Sequence, residues 1–171
     1  FEGSYSGRVQ RWDAGSYVQV PDADALNFSG SFTVQAWIYP TAPKKGLQGI
    51  VTKWSPEGGY GLFIDEQGRL ALRLRAADGT TTSVHAETAL RTPALIKGSF
   101  QAPNWYFVAA AYDADTGAVT LYQQRRRTWP GVATDSRVHE AVAHEPAPTP
   151  ADLIIGGARE SFDPNNQLIN H

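Results

Sequence analysis

The sequence predicts an all-β chain, a two-sheet antiparallel β-sandwich of the jelly-roll kind, and three observations carry that prediction. Residues 30–40 enter through Gly30 and Ser31 and leave at Pro40, and between them Phe32, Val34, Ala36 and Ile38 alternate with Thr33, Gln35, Trp37 and Tyr39. Successive strand residues point to opposite faces, so a period of two marks a half-buried strand. Two more apolar runs, Trp105–Tyr112 and Ala118–Tyr122, flank Asp113–Gly117, whose Asp, Thr and Gly suit a hairpin turn. Finally, short alternating segments recur about every 8–12 residues with no convincing helical run, which favours a sandwich over alternating strands and helices.

In chain order, Arg8–Trp12 and Ser16–Val20 form a predicted hairpin around Asp13–Gly15, ended by Pro21, which has no N–H to give the ladder. After the long strand at 31–39, Lys44–Gly46 turns the chain into Gln48–Trp54, and Ser55–Gly59 turns it again. Tyr60–Asp65, Arg69–Arg75 and Thr80–Val84 continue as a meander, with Glu66–Gly68 and Ala76–Gly79 at the corners. Leu70, Leu72 and Leu74 face one way while Arg69, Arg73 and Arg75 face the other, the pattern of a sheet with one dry and one wet face. Residues 86–104 and 125–151 are predicted irregular loops, rich in Thr, Pro and Gly and holding Pro130, Pro146, Pro148 and Pro150. Trp105 opens an apolar run and is a predicted core residue, and Leu153–Gly157 reads as a buried strand.

The 171 residues suit a single domain over 1–171, with a core large enough to need no staples. Zero cysteines exclude disulfides, Cys-based zinc sites and a cysteine nucleophile, and fit a reducing compartment such as the cytoplasm. A formal charge of −2 offers no field for nucleic acid, and Arg125–Arg127 is the only basic run. No apolar stretch nears the roughly 18 residues a membrane helix needs. The chain also lacks methionine, even at position 1, so a processed or excised piece of something longer is expected.

The chemistry-bearing residues form no evident catalytic set. A glycosidase on a sandwich needs two carboxyl groups about 5–9 Å apart, hence Asp or Glu at i and i+2 or i+4 of one strand. Asp22 and Asp24 instead follow Pro21 in a predicted loop, Asp65 and Glu66 are adjacent and face opposite sides, and Asp113 and Asp115 fall in the hairpin turn. Asp113-x-Asp115-x-Gly117 echoes the opening of an oxygen-ligand calcium loop, making Asp113 and Asp115 the metal candidates, but the later ligands are missing. The plainer reading is that these carboxylates cap backbone N–H groups of their own turn. His139 and His144 are five apart, one more than a helical zinc pair requires, and His85 and His171 have no partner visible in the sequence. No G-x-S-x-G elbow is present.

The aromatic residues are better binding candidates. Sugar-binding sandwiches stack pyranose faces on exposed rings. Trp37 and Tyr39 lie opposite Phe32 and Val34, where they either meet solvent or fill space beneath a long loop, while Trp54 and Trp129 adjoin turns. These four, Trp37, Tyr39, Trp54 and Trp129, are the candidate ligand-binding residues.

In order along residues 16–157, G-S-F-T-V-Q-A-W (30–37), G-I-V-T-K-W (49–54), G-Y-G-L (59–62), G-R-L (68–70), W-Y-F-V-A-A-A-Y-D (105–113), G-A-V-T-L-Y (117–122) and L-I-I-G-G (153–157) resemble the laminin G-like, concanavalin A-like domains. In that family the L-x-I-G-G strand is followed by an F-x-G-x-I-D strand closing one sheet. Its absence here implies a sandwich lacking its final strand, or an edge supplied by another segment. The segments R-V-Q-R (8–11), G-S-Y-V-Q-V (15–20), Q-G-I-V-T-K-W (48–54), W-Y (105–106), Y-D (112–113) and L-Y-Q (121–123) are further similar to the sandwich domain of N,N-dimethylformamidase large subunits. That resemblance implies an amide hydrolase whose iron is held by tyrosines and a glutamate in a separate downstream domain, with none of those ligands mapping here. The expected function is therefore a non-catalytic accessory or interaction domain, partnered by other domains or subunits of the parent enzyme. A carbohydrate-binding module with a glycan partner is the alternative, and a sandwich-fold glycoside hydrolase the second alternative.

Overall fold

A computed structural model describes residues 17–91, 105–126, 136–141, 144–159 and 168–169. In chain order the strands are β1 (Val18–Val20), β2 (Phe32–Ile38), β3 (Gln48–Ser55), β4 (Gly58–Ile64), β5 (Arg69–Arg75) and β6 (Thr81–Ala89). They continue as β7 (Tyr106–Asp113), β8 (Ala118–Arg125), β9 (Ser136–Ala141), β10 (Leu153–Ile155), β11 (Ala158–Arg159) and β12 (Leu168–Ile169). A single 3₁₀ turn, Asp24–Leu26, is the helical element among the described residues, and none of their helices is long and apolar enough to cross a membrane. A six-stranded sheet in the order β1-β10-β3-β4-β5-β6 faces a four-stranded sheet in the order β2-β7-β8-β9, while β11 and β12 pair separately. All these pairings are antiparallel, as the alternating patterns and short turns require.

The predicted meander is β3 to β6, and its corners are built by the residues that suggested them. Between β4 and β5, Gly68 adopts φ +81°, a left-handed conformation that costs a residue without Cβ little, and its N–H reaches the Asp65 carbonyl at 2.9 Å. The predicted hairpin is β7–β8, in register from Tyr106 opposite Arg125 to Asp113 opposite Ala118. The core lies between the sheets. Phe32 and Val34 of β2, Tyr106, Val108, Ala110 and Tyr112 of β7, and Val119 and Leu121 of β8 meet Leu62, Ile64, Leu70, Leu72, Leu74 and Val84 of the larger sheet. Phe32 ties the layers together, its ring centroid 4.8 Å from Phe28, 5.2 Å from Tyr60 and 5.7 Å from Tyr112.

Several expectations need correction. The strand at 18–20 pairs with β10, Val18 opposite Ile155 and Val20 opposite Leu153, while its expected partner at 8–12 lies outside the described residues. Because β3 takes the other side of β10, the L-I-I-G-G strand is interior to its sheet and not an open edge. The predicted loop at 86–104 begins too early: β6 runs to Ala89, and Ala86 and Leu90 are buried, while 92–104 falls outside the described residues. Likewise 125–151 contains β9, a fourth strand paired along β8 that carries His139. Its polar, Pro-flanked sequence hid it, because an edge strand with a solvated face need not show apolar alternation. The wet face of the larger sheet is also drier than predicted: Phe63 and Ala71 are buried there, the Phe63 ring lying over Gly61, where a Cβ would meet Phe63 Cε2 at 2.3 Å.

Candidate functional site

The alternation in β2 puts Thr33, Gln35 and Trp37 on the face of the four-stranded sheet away from the core, with Tyr39 following in the same phase. Register then decides their neighbours. Trp37 stands opposite Phe107 and Phe107 opposite Gln124; Gln35 opposite Ala109, Ala109 opposite Tyr122 and Tyr122 opposite Arg137; Thr33 opposite Ala111, Ala111 opposite Thr120 and Thr120 opposite His139. The rings form a continuous stripe across three strands, Trp37 to Phe107 at 5.5 Å and Phe107 to Tyr122 at 6.0 Å, with Tyr39 and Trp105 paired beside it at 5.6 Å. Trp37 is 56% exposed and Trp105 37%. Ala109 and Ala111 lie next to the stripe, between Gln35 and Tyr122 and between Thr33 and Thr120. Beside it the Tyr122 hydroxyl donates to Gln124 Oε1 at 3.0 Å, Thr120 Oγ1 lies 2.9 Å from His139 Nδ1, and Arg137 stands opposite Tyr122. Flat rings among carboxamides and hydroxyls can bind another flat apolar or polyol surface, but cannot by themselves move a proton or make a bond.

Of the predicted binding residues, Trp37 is open to solvent and Tyr39 is half-buried against Trp105. Trp54 belongs to the other sheet, edge-on to Phe63 at 6.3 Å, and shares no surface with Trp37. Trp129 lies outside the described residues, as does His171. Trp105 is not a core residue: Tyr106, Val108, Ala110 and Tyr112 point inward, which turns Trp105 and Phe107 outward. Phe107 and Tyr122 escaped the sequence reading because both faces of β7 and β8 carry apolar side chains, so alternation alone could not say which face was wet.

The acidic residues are engaged locally. Asp113 Oδ1 accepts the N–H of Asp115 at 3.0 Å and of Thr116 at 3.4 Å, so one carboxylate oxygen of that calcium candidate caps its own turn. Asp22 Oδ1 takes a 2.6 Å bond from Lys53 Nζ, which holds its carboxyl below the ordinary value, and Asp24 lies exposed in the 3₁₀ turn. Asp65, fully buried, accepts from the N–H groups of Gln67 at 3.0 Å and Arg69 at 2.8 Å, from Arg69 Nε at 2.9 Å, and lies 2.9 Å from His85 Nδ1. Burial alone would raise its pKa; the Arg69 N–H, the Arg69 guanidinium and His85 outweigh that and hold it below the usual value. The Asp65–His85 contact is the partner for His85 that the sequence could not supply, since the two are joined only by the register of β4, β5 and β6. Among the described residues no three His, Cys, Asp or Glu side chains come together in a metal-binding group.

The family profile of the concanavalin A-like lectin/glucanases superfamily matches residues 13–166. The β subunit of N,N-dimethylformamidase from Paracoccus aminophilus is 33% identical over 171 aligned residues, which take in 94% of this chain and 21% of that protein. The β subunit of the same name from an Alcaligenes species is 36% identical over 126 residues, 72% of this chain and 15% of that protein. The chain thus spans about a fifth or less of these relatives. Among solved structures, the binding domain of botulinum neurotoxin serotype G superposes with a TM-score of 0.58 at 12% identity, covering 92% of this chain and 34% of that one, a likeness of fold alone.

Proposed function

Since the chain belongs to the concanavalin A-like lectin/glucanase superfamily, and its relatives are β subunits of N,N-dimethylformamidase, we propose that it is the accessory sandwich of a dimethylformamidase-like amidohydrolase, a module that binds and positions while a neighbour reacts. The observation that carries this reading is the likeness to those β subunits, which runs over nearly the whole chain yet takes in only a small part of each relative. The carboxylates support it, since Asp22, Asp65 and Asp113 are each hydrogen-bonded to neighbours in their own chain. The tyrosines support it as well. An iron held by tyrosines and a glutamate, as the amidase resemblance implies, needs phenolates that ionise readily. Burial pushes Tyr60 up to about 12, and its hydroxyl donates to the Leu26 carbonyl at 3.1 Å; Tyr112 is likewise raised by burial and by Glu145 and Asp113. Tyr60 and Tyr112 do not fit that iron, and no step of a reaction is assigned to the described residues.

The purified 171 residues are expected to hydrolyse neither N,N-dimethylformamide nor glycosides and to retain no iron, with the longer parent polypeptide hydrolysing the amide. Turnover by the isolated chain, or a parent without amide hydrolysis, overturns the reading. A carbohydrate-binding role is the second reading, favoured by the exposure of Trp37 beside Gln35 and Gln124. Affinity electrophoresis in neutral polysaccharides tests it: retention that Trp37→Ala abolishes supports it, and no retention of the native chain discards it.

A further inference from the structure

The open face of the four-stranded sheet has a size and charge that select its occupant. Between the row of Thr33 and that of Tyr39 it holds five aromatic side chains, two alanines, two carboxamides and two threonines, with no carboxylate among its described residues. Its cationic or imidazole groups among the described residues lie at the margins, Arg126 beside Trp105 at the end of the Tyr39 row and Arg137 and His139 on β9. Charge-poor centres rich in Trp, Tyr and Phe are the composition of the buried middle of an interface, not of ordinary surface. Strands about 4.8 Å apart and rows about 6.8 Å apart give three strands by four rows, with two further positions on β9, a footprint of roughly 450 Å². Docking there removes at most about 1,000 Å² from both partners, short of the roughly 1,200–2,000 Å² of stable free complexes but within the roughly 600–1,500 Å² of contacts between domains of one chain. A free partner or a second copy would bind too weakly, whereas a tether supplies an effective concentration that makes a small contact sufficient.

We propose that the Trp37–Phe107–Tyr122 face docks onto another domain of the same, longer polypeptide, through a flat apolar surface edged by acidic side chains that meet Arg137 and His139. This rests on the placement of the chain within a larger enzyme. It identifies the side of the sandwich that faces the rest of that enzyme, and leaves the six-stranded sheet away from the contact.

Hydroxyl-radical footprinting of the full polypeptide and of the 171-residue chain tests it. Water exclusion at an interface centre should lower oxidation of Trp37 and Trp105 at least about fivefold in the full polypeptide, while Trp54 on the other sheet oxidises alike in both. Phe107→Ser in the full polypeptide should return Trp105 to the rate seen in the isolated chain. Equal rates at Trp37 in the two proteins overturn the proposal. Protection that fades on dilution overturns it in favour of a second copy, and protection that requires added oligosaccharide overturns it in favour of a glycan. Amide hydrolysis by the same full-length sample is read separately: activity with a bare face sinks the docking alone, and a protected face without activity sinks the enzymatic placement alone.

Discussion

Replacing Lys53 by methionine removes one ammonium from the inside of the larger sheet and should destabilise the domain more than any surface charge change. Its side chain is fully buried, and Nζ donates to Asp22 Oδ1 at 2.6 Å, the Thr149 carbonyl at 2.7 Å and the Ala151 carbonyl at 2.5 Å. All three ammonium protons are thus used, and they pin residues 149–151 and the segment after β1 to the middle of β3. Methionine keeps the apolar stem but donates nothing. Two inward-facing carbonyls lose their partner at about 1–3 kcal/mol each, and the easier burial of a thioether offsets part of this, leaving a net loss of about 2–4 kcal/mol. For a domain of this size that lowers Tm by about 5–15 °C. Thermal unfolding followed by circular dichroism measures it, with Lys45→Met, an exposed lysine, as the control. Asp22 adds a pH signature. Lys53 holds its folded pKa below the unfolded value of 3.8, so its contribution is present above that value and disappears as pH falls through the depressed one. The variant should lose that part of the acid-side slope. A Tm within about 2 °C of the native chain would falsify the view of Lys53 as the fastener of these segments.

Other perturbations separate structural from binding residues. Asp65→Asn leaves Arg69 and His85 facing an amide and should cost about 2–3 kcal/mol near neutral pH, measured by urea unfolding. Because the Asp65 pKa is lowered on folding, the gap between native and variant should close as pH drops below the unfolded value of 3.8; a gap independent of pH contradicts the assignment. Gly61→Ala drives a methyl into the buried Phe63 ring and should cost about 1–3 kcal/mol in the same assay, whereas Gly30→Ala, with nothing within 4 Å of its Cβ, should cost less. Trp37→Ala should change Tm by less than about 4 °C, since more than half of the side chain is already in water, and should lower the fraction of tryptophan emission accessible to acrylamide.

The sequence by itself determined the layers. Alternation in β2, β5 and β7, with Gly68 and Asp113–Gly117 at turns, is local information, because each residue's side and each tight turn depend on neighbours a few positions away. It also determined which residues of β5 go inside, Leu70, Leu72 and Leu74, since apolar and charged positions were sorted cleanly. The tertiary structure alone decided what crosses from strand to strand. It chose β10 as the partner of β1, made β9 a strand, turned Trp105 and Phe107 outward, and joined Lys53 to residues about 100 positions away. The physical reason is common to these cases. Where both faces of a strand are apolar, or a polar group finds its partner through sheet register, the deciding energy lies in long-range contacts that no local window of sequence contains. The aromatic face is the functional instance: Trp37 was legible as a candidate, but the stripe it forms with Phe107 and Tyr122 exists only because three strands are held in one register.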